Sequence, residues 1–169
     1  ALLMARLFNK NEPLGRVIER RINHHKAIGK RVNYITPFSP YYPASGKNAL
    51  IDGLPGGLSH GDGYWQGFNV SELDVVIDLE KNETIKFIRT NFLQNGNAWI
   101  WFPKEVIISV SNGEESYREI AKLSNKIPRN QEGTLFQTFE WKGEAQARYI
   151  RIKAPSNGGW LFMDEVVVW

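Results

Sequence analysis

Two adjacent carboxylates near the end of the chain are the residues best suited by type to acid–base chemistry. They are Asp164 and Glu165, in the segment FMDEVVVW. Paired carboxylates act in hydrolysis when their surroundings separate their pKa values. The segment alternates like a strand, however, and neighbouring residues on a strand point to opposite faces. The two side chains are therefore expected to diverge, which argues against a catalytic pair.

The segment NALIDGLPGG, residues 48–57, is the second candidate for chemistry. It is not a phosphate-binding loop, because no Lys-Ser/Thr follows the glycines. No acid or base is placed by pattern beside Asp52, so catalysis by that residue has no support. Two interpretations remain open. The loop holds a hard cation through backbone carbonyls and one carboxylate, or it is a tight turn in which Asp52 accepts hydrogen bonds from backbone amides.

The three histidines show no metal-binding spacing. His24 and His25 are adjacent, so they would not share one face of a helix, and His60 stands alone in SHGDG. We expect all three to be solvated, with His60 in a loop region where a ligand could reach it. The chain has no cysteine, which excludes disulfides and thiol chemistry.

The elements that must position these residues are strands. After residue 67 apolar residues recur with period two, and turn residues separate the segments at short spacing. The predicted strands are residues 73–80, 84–94, 105–113, 117–123, 134–142, 147–155 and 162–169. Because no helical pattern lies between them, we predict an all-β, antiparallel jelly-roll sandwich.

The first residues have a different pattern. Leu3, Leu7 and Val17 belong to apolar sets near helical spacing, Pro13 is expected to begin a second helical segment, and Gly29 to end it. We therefore predict a helical extension over residues 1–29, a remnant or linker from a preceding domain, followed by a sandwich over residues 30–169.

Charge and length exclude several classes of function. The 169 residues carry a net charge of +3 and suit one domain. Residues 1–33 hold eight Lys/Arg and two Glu, but Phe8 is the one Phe, Tyr or Trp among them, too few for stacking on bases, so no nucleic-acid partner is expected. No apolar run reaches 18 residues, so no membrane span is expected.

Several ordered segments resemble a known family. ALIDGLPGG, HGDGYWQGF, WFPKEVIISVSNGEESY, ARYIRIKA and FMDEVVVW are similar to the discoidin, or coagulation factor V/VIII type C, domain, a group that includes carbohydrate-binding module family 32. The resemblance covers about residues 30–169. It implies a galactose-binding-domain-like sandwich without catalysis of its own.

One variant within this group is more similar than the rest. YYPASGKNALIDGLPGG and WQGF resemble the module found after the catalytic domain of bacterial family 20 glycoside hydrolases, the chitobiases and β-hexosaminidases. This implies a parent hydrolase that is secreted, periplasmic or on the outer cell surface.

The family resemblance also implies a metal. Family members commonly hold a structural calcium ion on the loop that corresponds to residues 48–57. The implied ligands here are the side chains of Asp52 and Glu165 and the carbonyls of Ala49, Leu54 and Gly57.

A sugar site on the loops at one end of the sandwich is implied as well. Aromatic rings stack on the apolar faces of sugars while polar groups bind the hydroxyls. Trp160 follows Asn-Gly-Gly, which leaves it unshielded. The resemblance suggests Trp160 and Asn157, with His60, Asn97 and Trp99 beside them. An alternative is that Trp160 only seals the end of the fold.

The expected function is that of a non-catalytic accessory module. It would bind terminal GlcNAc or Gal residues of a glycan weakly, with attachment to the catalytic domain of the same chain raising the affinity. Two alternatives stay open: a structural spacer or docking module without a ligand, and a module that adheres to protein or phospholipid through exposed apolar residues.

Overall fold

Alternating apolar residues form strands throughout the described part of the chain. The computed structural model describes residues 2–21, 24–113 and 115–169, apart from the side chains of residues 20 and 21. The strands are β1 (Leu2–Asn9), β2 (Glu12–Arg21), β3 (Arg31–Tyr34), β4 (Gln66–Phe68), β5 (Glu72–Asn95), β6 (Glu105–Ser111), β7 (Arg118–Ser124), β8 (Thr134–Pro155) and β9 (Leu161–Val168). Two short 3₁₀ turns span Gly46–Ile51 and Gly96–Ala98.

The strands form an antiparallel sandwich, as predicted. Hydrogen bonds join them in the order β4-β9-β5-β8-β6-β7, and β3 also pairs with β5. β5 and β8 pair along most of their length, with irregular register between Asp78 and Glu83 and between Ile85 and Phe87. β3 pairs with the first half of β5 and β9 with its second half. The two long strands therefore contribute to both layers.

Apolar side chains at the inward-facing positions of the strands fill the space between the two layers. The main core includes Ile77, Ile88, Phe92, Ile108 and Ile150, all fully buried. A second cluster at one end holds Trp65, Leu93, Ile100 and Phe162. All eight residues of β9 are buried, so this strand is covered on both faces. The core covers one face, and the loop that follows the first 3₁₀ turn covers part of the other.

The prediction of a helical extension over residues 1–29 is wrong. β1 and β2 instead form a separate two-stranded antiparallel ribbon, which turns at Lys10 with a positive φ of 54°. Leu3 and Leu7 lie four residues apart, and this even spacing places two residues on one face of a strand as readily as on one face of a helix. The pairing of Leu7 with Leu14 across the ribbon shows that this segment is a strand rather than a helix.

The sandwich also begins before residue 30. Ala27 is fully buried and belongs to the main core. The backbone amide of Lys26 donates a hydrogen bond to the carbonyl of Val168 at 2.8 Å. Residues 25–29 are therefore part of the body of the fold rather than of the extension.

Candidate functional site

β9 and the DGLPGG loop hold each other through the paired carboxylates. Asp164 and Glu165 are both 1% exposed. The Gly56 amide donates to Asp164 Oδ2 at 3.1 Å, and the Gly53 amide donates to Glu165 Oε2 at 2.8 Å. Asn91 Nδ2 also donates to Asp164 Oδ2. Both carboxylates thus fix backbone, and their burial leaves no opening for a substrate bond between them.

The side chain of Asp52 lies close to that of Glu165. Burial, together with the nearby charge of Asp52, raises the pKa of Glu165 to about 8. Asp52 Oδ1 accepts a hydrogen bond from the Leu54 amide at 2.9 Å, and its other oxygen accepts one from Ser45. Two carboxylates brought together in this way favour a cation between them.

The other implied calcium ligands, Ala49, Leu54 and Gly57, flank Asp52 in the sequence. Ala49 is buried in the 3₁₀ turn that precedes Asp52. The carbonyl of Gly57 accepts a hydrogen bond from Trp65 Nε1 at 2.9 Å. Within the described residues, no group of three or more His, Cys, Asp or Glu side chains could hold a metal. A cation here would therefore depend on backbone carbonyls as well as the two acids.

His25 is a member of this site that sequence reasoning missed. It is 2% exposed, and its Nε2 lies 2.8 Å from Glu165 Oε1. Because Nδ1 accepts a hydrogen bond from the Ala27 amide, Nε2 carries the proton and donates it. Burial and the charge of Arg89 lower the pKa of His25 to about 4, so the ring is neutral at pH 7. The expectation that all three histidines are solvated is wrong for His25, since no local pattern reports a contact so distant in sequence.

Two of the glycines in the loop have a structural reason, one in packing and one in backbone conformation. A Cβ on Gly56 would lie 2.3 Å from Cε2 of the buried Trp65 ring. Gly53, directly after Asp52, has a φ of 78°, a left-handed backbone conformation that glycine adopts without strain. The GLPGG sequence is therefore required to wrap the backbone over Trp65 and β9.

An aromatic cluster occupies the end of the sandwich where β9 begins. The ring centroid of Tyr42 lies 5.3 Å from that of Trp160, 6.2 Å from that of His60 and 4.9 Å from that of Phe162, each pair edge to face. Phe162 is buried, whereas Tyr42, Trp160 and His60 are half-buried. Trp160 thus covers the end of the fold and leaves part of its ring exposed to solvent.

Tyr42 was not a predicted member of this cluster. The backbone around it is fixed by the buried Gln66, whose Nε2 donates to the carbonyls of Pro43 and Gly46. A Cβ on Gly67 would come within 2.8 Å of Tyr42 Cβ. The WQGF segment therefore positions the PFSPYYP loop.

Trp99 lies beside Trp160 with most of its ring exposed. It is 68% exposed and has a positive φ of 58° after the second 3₁₀ turn. Its carbonyl accepts a hydrogen bond from the Trp160 amide at 2.8 Å, so the two predicted tryptophans are neighbours. Ile100 and Phe102 point inward and are buried. The predicted alternation in WIWF therefore holds, with the tryptophans on the outer side.

The two predicted asparagines flank these rings. Asn97 is exposed in the turn before Trp99, and Asn157 is half-buried in the loop before Trp160. Sequence reasoning did not identify Arg129, whose guanidinium lies 4.4 Å above the ring of Trp101. Arg129 is in the loop between β7 and β8, and no motif in the sequence connects it with Trp101.

The family can now be stated. A model of the F5/8 type C domain matches residues 34–166. This chain belongs to the F5/8 type C family. F5/8 type C domains of the carbohydrate-binding module family 32 type are non-catalytic, in agreement with the sealed carboxylate pair. No curated protein sequence matches the chain.

Solved structures share the fold of this F5/8 type C domain at low identity. Chitosan-binding module 1 of a chitosanase/glucanase from Paenibacillus sp. IK-5 is 15% identical, with a TM-score of 0.58 over 87% of this chain and 99% of that one. A family 32 module of AlyQ, in complex with 4,5-unsaturated mannuronic acid, is 20% identical, with a TM-score of 0.54 over 82% and 92%. A Clostridium perfringens module, CpGH89CBM32-5, in complex with GalNAc-β-1,3-galactose, is 16% identical, with a TM-score of 0.56 over 82% and 94%.

The described part of the F5/8 type C domain and its ribbon contains no helix long and apolar enough to cross a membrane.

Proposed function

We propose that this F5/8 type C domain is an accessory module that binds carbohydrate at the aromatic end of the sandwich. The observation that carries the proposal is the exposed ring of Trp99 next to the half-buried Trp160, with Tyr42 and His60 against the same cluster. Rings held by packing in this way offer a preformed apolar surface, and Asn97 at its edge offers hydrogen bonds.

Backbone pairing between the two loops that carry the rings supports the proposal. The backbone of Trp160 pairs with that of Ile100 in a parallel bridge, and the Trp101 amide donates to the Trp160 carbonyl at 3.0 Å. Both loops that carry the rings are thereby joined. A small, preformed surface of this kind predicts weak binding of terminal sugars, because one sugar ring buries little area.

A glycan array tests the proposal, followed by titration calorimetry with the sugars that bind. Binding to GlcNAc- or Gal-terminated glycans should be lost in Trp99→Ala and in Trp160→Ala. Trp169→Ala is the control, because Trp169 is 48% exposed and lies against His25, away from the aromatic end. No binding to any glycan at high protein concentration would refute the function, and liposome sedimentation would then test adhesion to phospholipid.

We also propose that the Asp52–Glu165 contact binds calcium as a structural ion. When bound, the cation would favour the ionised form of Glu165 beside Asp52 and would fix the DGLPGG loop. Asp52 and Glu165 would be side-chain ligands, and the backbone of the 48–57 loop would supply carbonyls. The support is the meeting of these two acids from positions distant in sequence.

The ribbon supports a docking role within a longer polypeptide. We propose that β1 and β2 lie against a preceding domain of a secreted or cell-surface glycoside hydrolase, of family 20 by resemblance. Eight apolar side chains of the ribbon are exposed: Leu2, Leu3, Met4, Leu7, Phe8, Leu14, Val17 and Ile18. An isolated two-stranded ribbon is marginally stable, so these residues need a covering surface. A structurally similar module makes up 28% of the longer chain of SpGH29.

A further inference from the structure

A second cleft opens beside the aromatic end, and we propose that it binds the second sugar residue of a neutral oligosaccharide. Its volume is about 530 Å³, and its side chains are those of Asn97, Trp101, Arg129, Asn130, Gln131 and Glu132. We call it the Arg129 cleft. The inference rests on the glycan-binding function proposed above and makes the ligand at least a disaccharide.

The wall of the Arg129 cleft is a fixed stack of two side chains. A Cβ on Gly96 would lie 2.9 Å from Cη2 of Trp101, and a Cβ on Gly159 would lie 2.8 Å from its Cδ1. The indole is therefore held between two glycines. The guanidinium of Arg129 covers its face at 4.4 Å. Such preorganisation lowers the side-chain entropy that the protein must lose when a ligand binds.

The polar groups of the cleft have unused hydrogen-bonding capacity. The side chains of Arg129, Asn130, Gln131 and Glu132 are exposed, and none has a hydrogen bond or ion pair to another described residue. Arginine supplies only donors, glutamate only acceptors, and each amide supplies both. Neighbouring sugar hydroxyls need this mixture of donors and acceptors.

Charge favours a neutral sugar over an acidic one. Among the side chains of the cleft, Arg129 carries the one positive charge and Glu132 the one negative charge. An added carboxylate or sulfate in the cleft would therefore meet both an attractive and a repulsive group, with little net gain.

The Arg129 cleft is continuous with the aromatic end. Asn97 lines the cleft and lies two residues before the exposed Trp99. Gly158, whose Cβ would lie 3.3 Å from Arg129 Nη1, lies two residues before Trp160. A glycan with one ring on the tryptophans is thereby placed with its next residue at the mouth of the cleft.

Titration calorimetry with matched mono- and disaccharides tests the inference. The probes are GlcNAc and chitobiose, and galactose and lactose, with digalacturonate as an acidic comparison. We expect a disaccharide to bind about tenfold more tightly than its monosaccharide, and digalacturonate to gain no such increment. Arg129→Ala should remove most of the tenfold increment and change monosaccharide affinity less than twofold. Asn130→Ala, which leaves the Trp101 stack intact, should remove part of it.

Controls separate this site from the aromatic end. Trp160→Ala should weaken both members of each pair, and Arg118→Ala, at an exposed arginine of β7, should weaken neither. The indole N–H signal of Trp101 should shift with disaccharide only. Equal affinities for mono- and disaccharide, or an Arg129→Ala effect equal on both, would overturn the inference while leaving the aromatic site intact. Absence of binding to every sugar would overturn the proposed function and the inference together.

Discussion

His25 Nε2 lies 2.8 Å from Glu165 Oε1, and the two residues are 140 positions apart in the chain. The contact joins the segment that enters the sandwich to its last strand. It also occupies one oxygen of the carboxylate whose other oxygen holds the Gly53 amide. The entry to the fold, its final strand and the DGLPGG loop are therefore connected through one buried acid.

Removing the imidazole should destabilise the sandwich. His25→Ala leaves Glu165 Oε1 buried without its donor, which costs about 1–3 kcal/mol of unfolding free energy. Urea unfolding followed by tryptophan fluorescence measures the change. His24→Ala, at the exposed neighbouring residue, is the matched control and should change the free energy by less than about 0.5 kcal/mol. Equal effects of the two substitutions would contradict the role assigned to His25.

Adding a methyl group at Gly56 should disrupt the packing of Trp65. Its Cβ would lie 2.3 Å from the indole, so Gly56→Ala should cost about 1–3 kcal/mol and shift the tryptophan emission. Gly113→Ala is the control, because nothing lies within 4 Å of its Cβ position. Native stability in Gly56→Ala would show that the glycine is not required by Trp65.

Calcium should stabilise the protein after it has been treated with a chelator. At a concentration one hundred times its dissociation constant, a bound ion adds about 2.7 kcal/mol to the free energy of unfolding. Calorimetry and melting curves with and without calcium measure the effect, and Asp52→Asn should abolish it. Glu144→Gln should keep it, because Glu144 is exposed on β8 and lies outside the 48–57 loop. Neither heat nor a higher melting temperature with calcium would refute the site.

Deleting the ribbon should leave the sandwich intact. A variant lacking residues 1–21 should melt within about 2 °C of the full chain, since an isolated hairpin contributes little to stability. It should also bind less of a hydrophobic dye, because the exposed apolar residues of the ribbon are gone. A variant lacking residues 1–30 also removes His25 and Ala27 and should melt clearly lower. A large loss of stability in the shorter deletion would show that the ribbon supports the sandwich.

An ion pair on the face of β5 predicts the acid response. Asp78 accepts two hydrogen bonds from Arg148, at 2.7 and 2.9 Å, and one from Arg31 at 2.6 Å. Arg148 is the main reason that the pKa of Asp78 falls to about 2. Because the folded-state pKa lies below the usual value of about 4, the stabilisation is present above pH 4 and is lost as the pH falls toward 2.

Asp78→Asn tests that response. At pH 7 the substitution should cost about 1 kcal/mol, given that the pair is partly screened by solvent. The difference from the unsubstituted protein should shrink as the pH falls from 4 to 2 in urea titrations. Glu144→Gln, at an exposed glutamate, should show no such pH dependence. A constant difference across this range would exclude Asp78 as the titrating group.

The period-two alternation of apolar residues was sufficient to predict most of the strands. Each of the two long strands was predicted as two, because irregular register near Glu80–Lys81 and Lys142–Gly143 interrupts the alternation where the strands pass between layers. The ribbon was assigned to a helix, since a spacing of four residues suits both structures. Only the pairing of β1 with β2 distinguishes them, and pairing is not visible in a single segment.

Only part of the candidate site could be predicted, because contacts between distant segments are not visible in a single segment. Trp160 was proposed because Asn-Gly-Gly precedes it, and Trp99 was proposed from the family resemblance. The meeting of Asp52 with Glu165 followed from resemblance rather than from spacing. His25 and Arg129 were missed, because each acts through a contact with a residue from another loop or strand. Such contacts depend on the tertiary fold and leave no local periodicity.

The length of β9 determines how far Trp160 lies from the segment that follows the ribbon. Trp160 precedes this strand, and Val168 at its far end accepts the hydrogen bond from Lys26, just after the ribbon. Eight extended residues span roughly 26 Å. Under the function proposed above, a glycan bound by the tryptophans would thus lie about that far from the place where the chain enters the sandwich. The bound sugar and the entering chain would occupy opposite ends of one rigid strand.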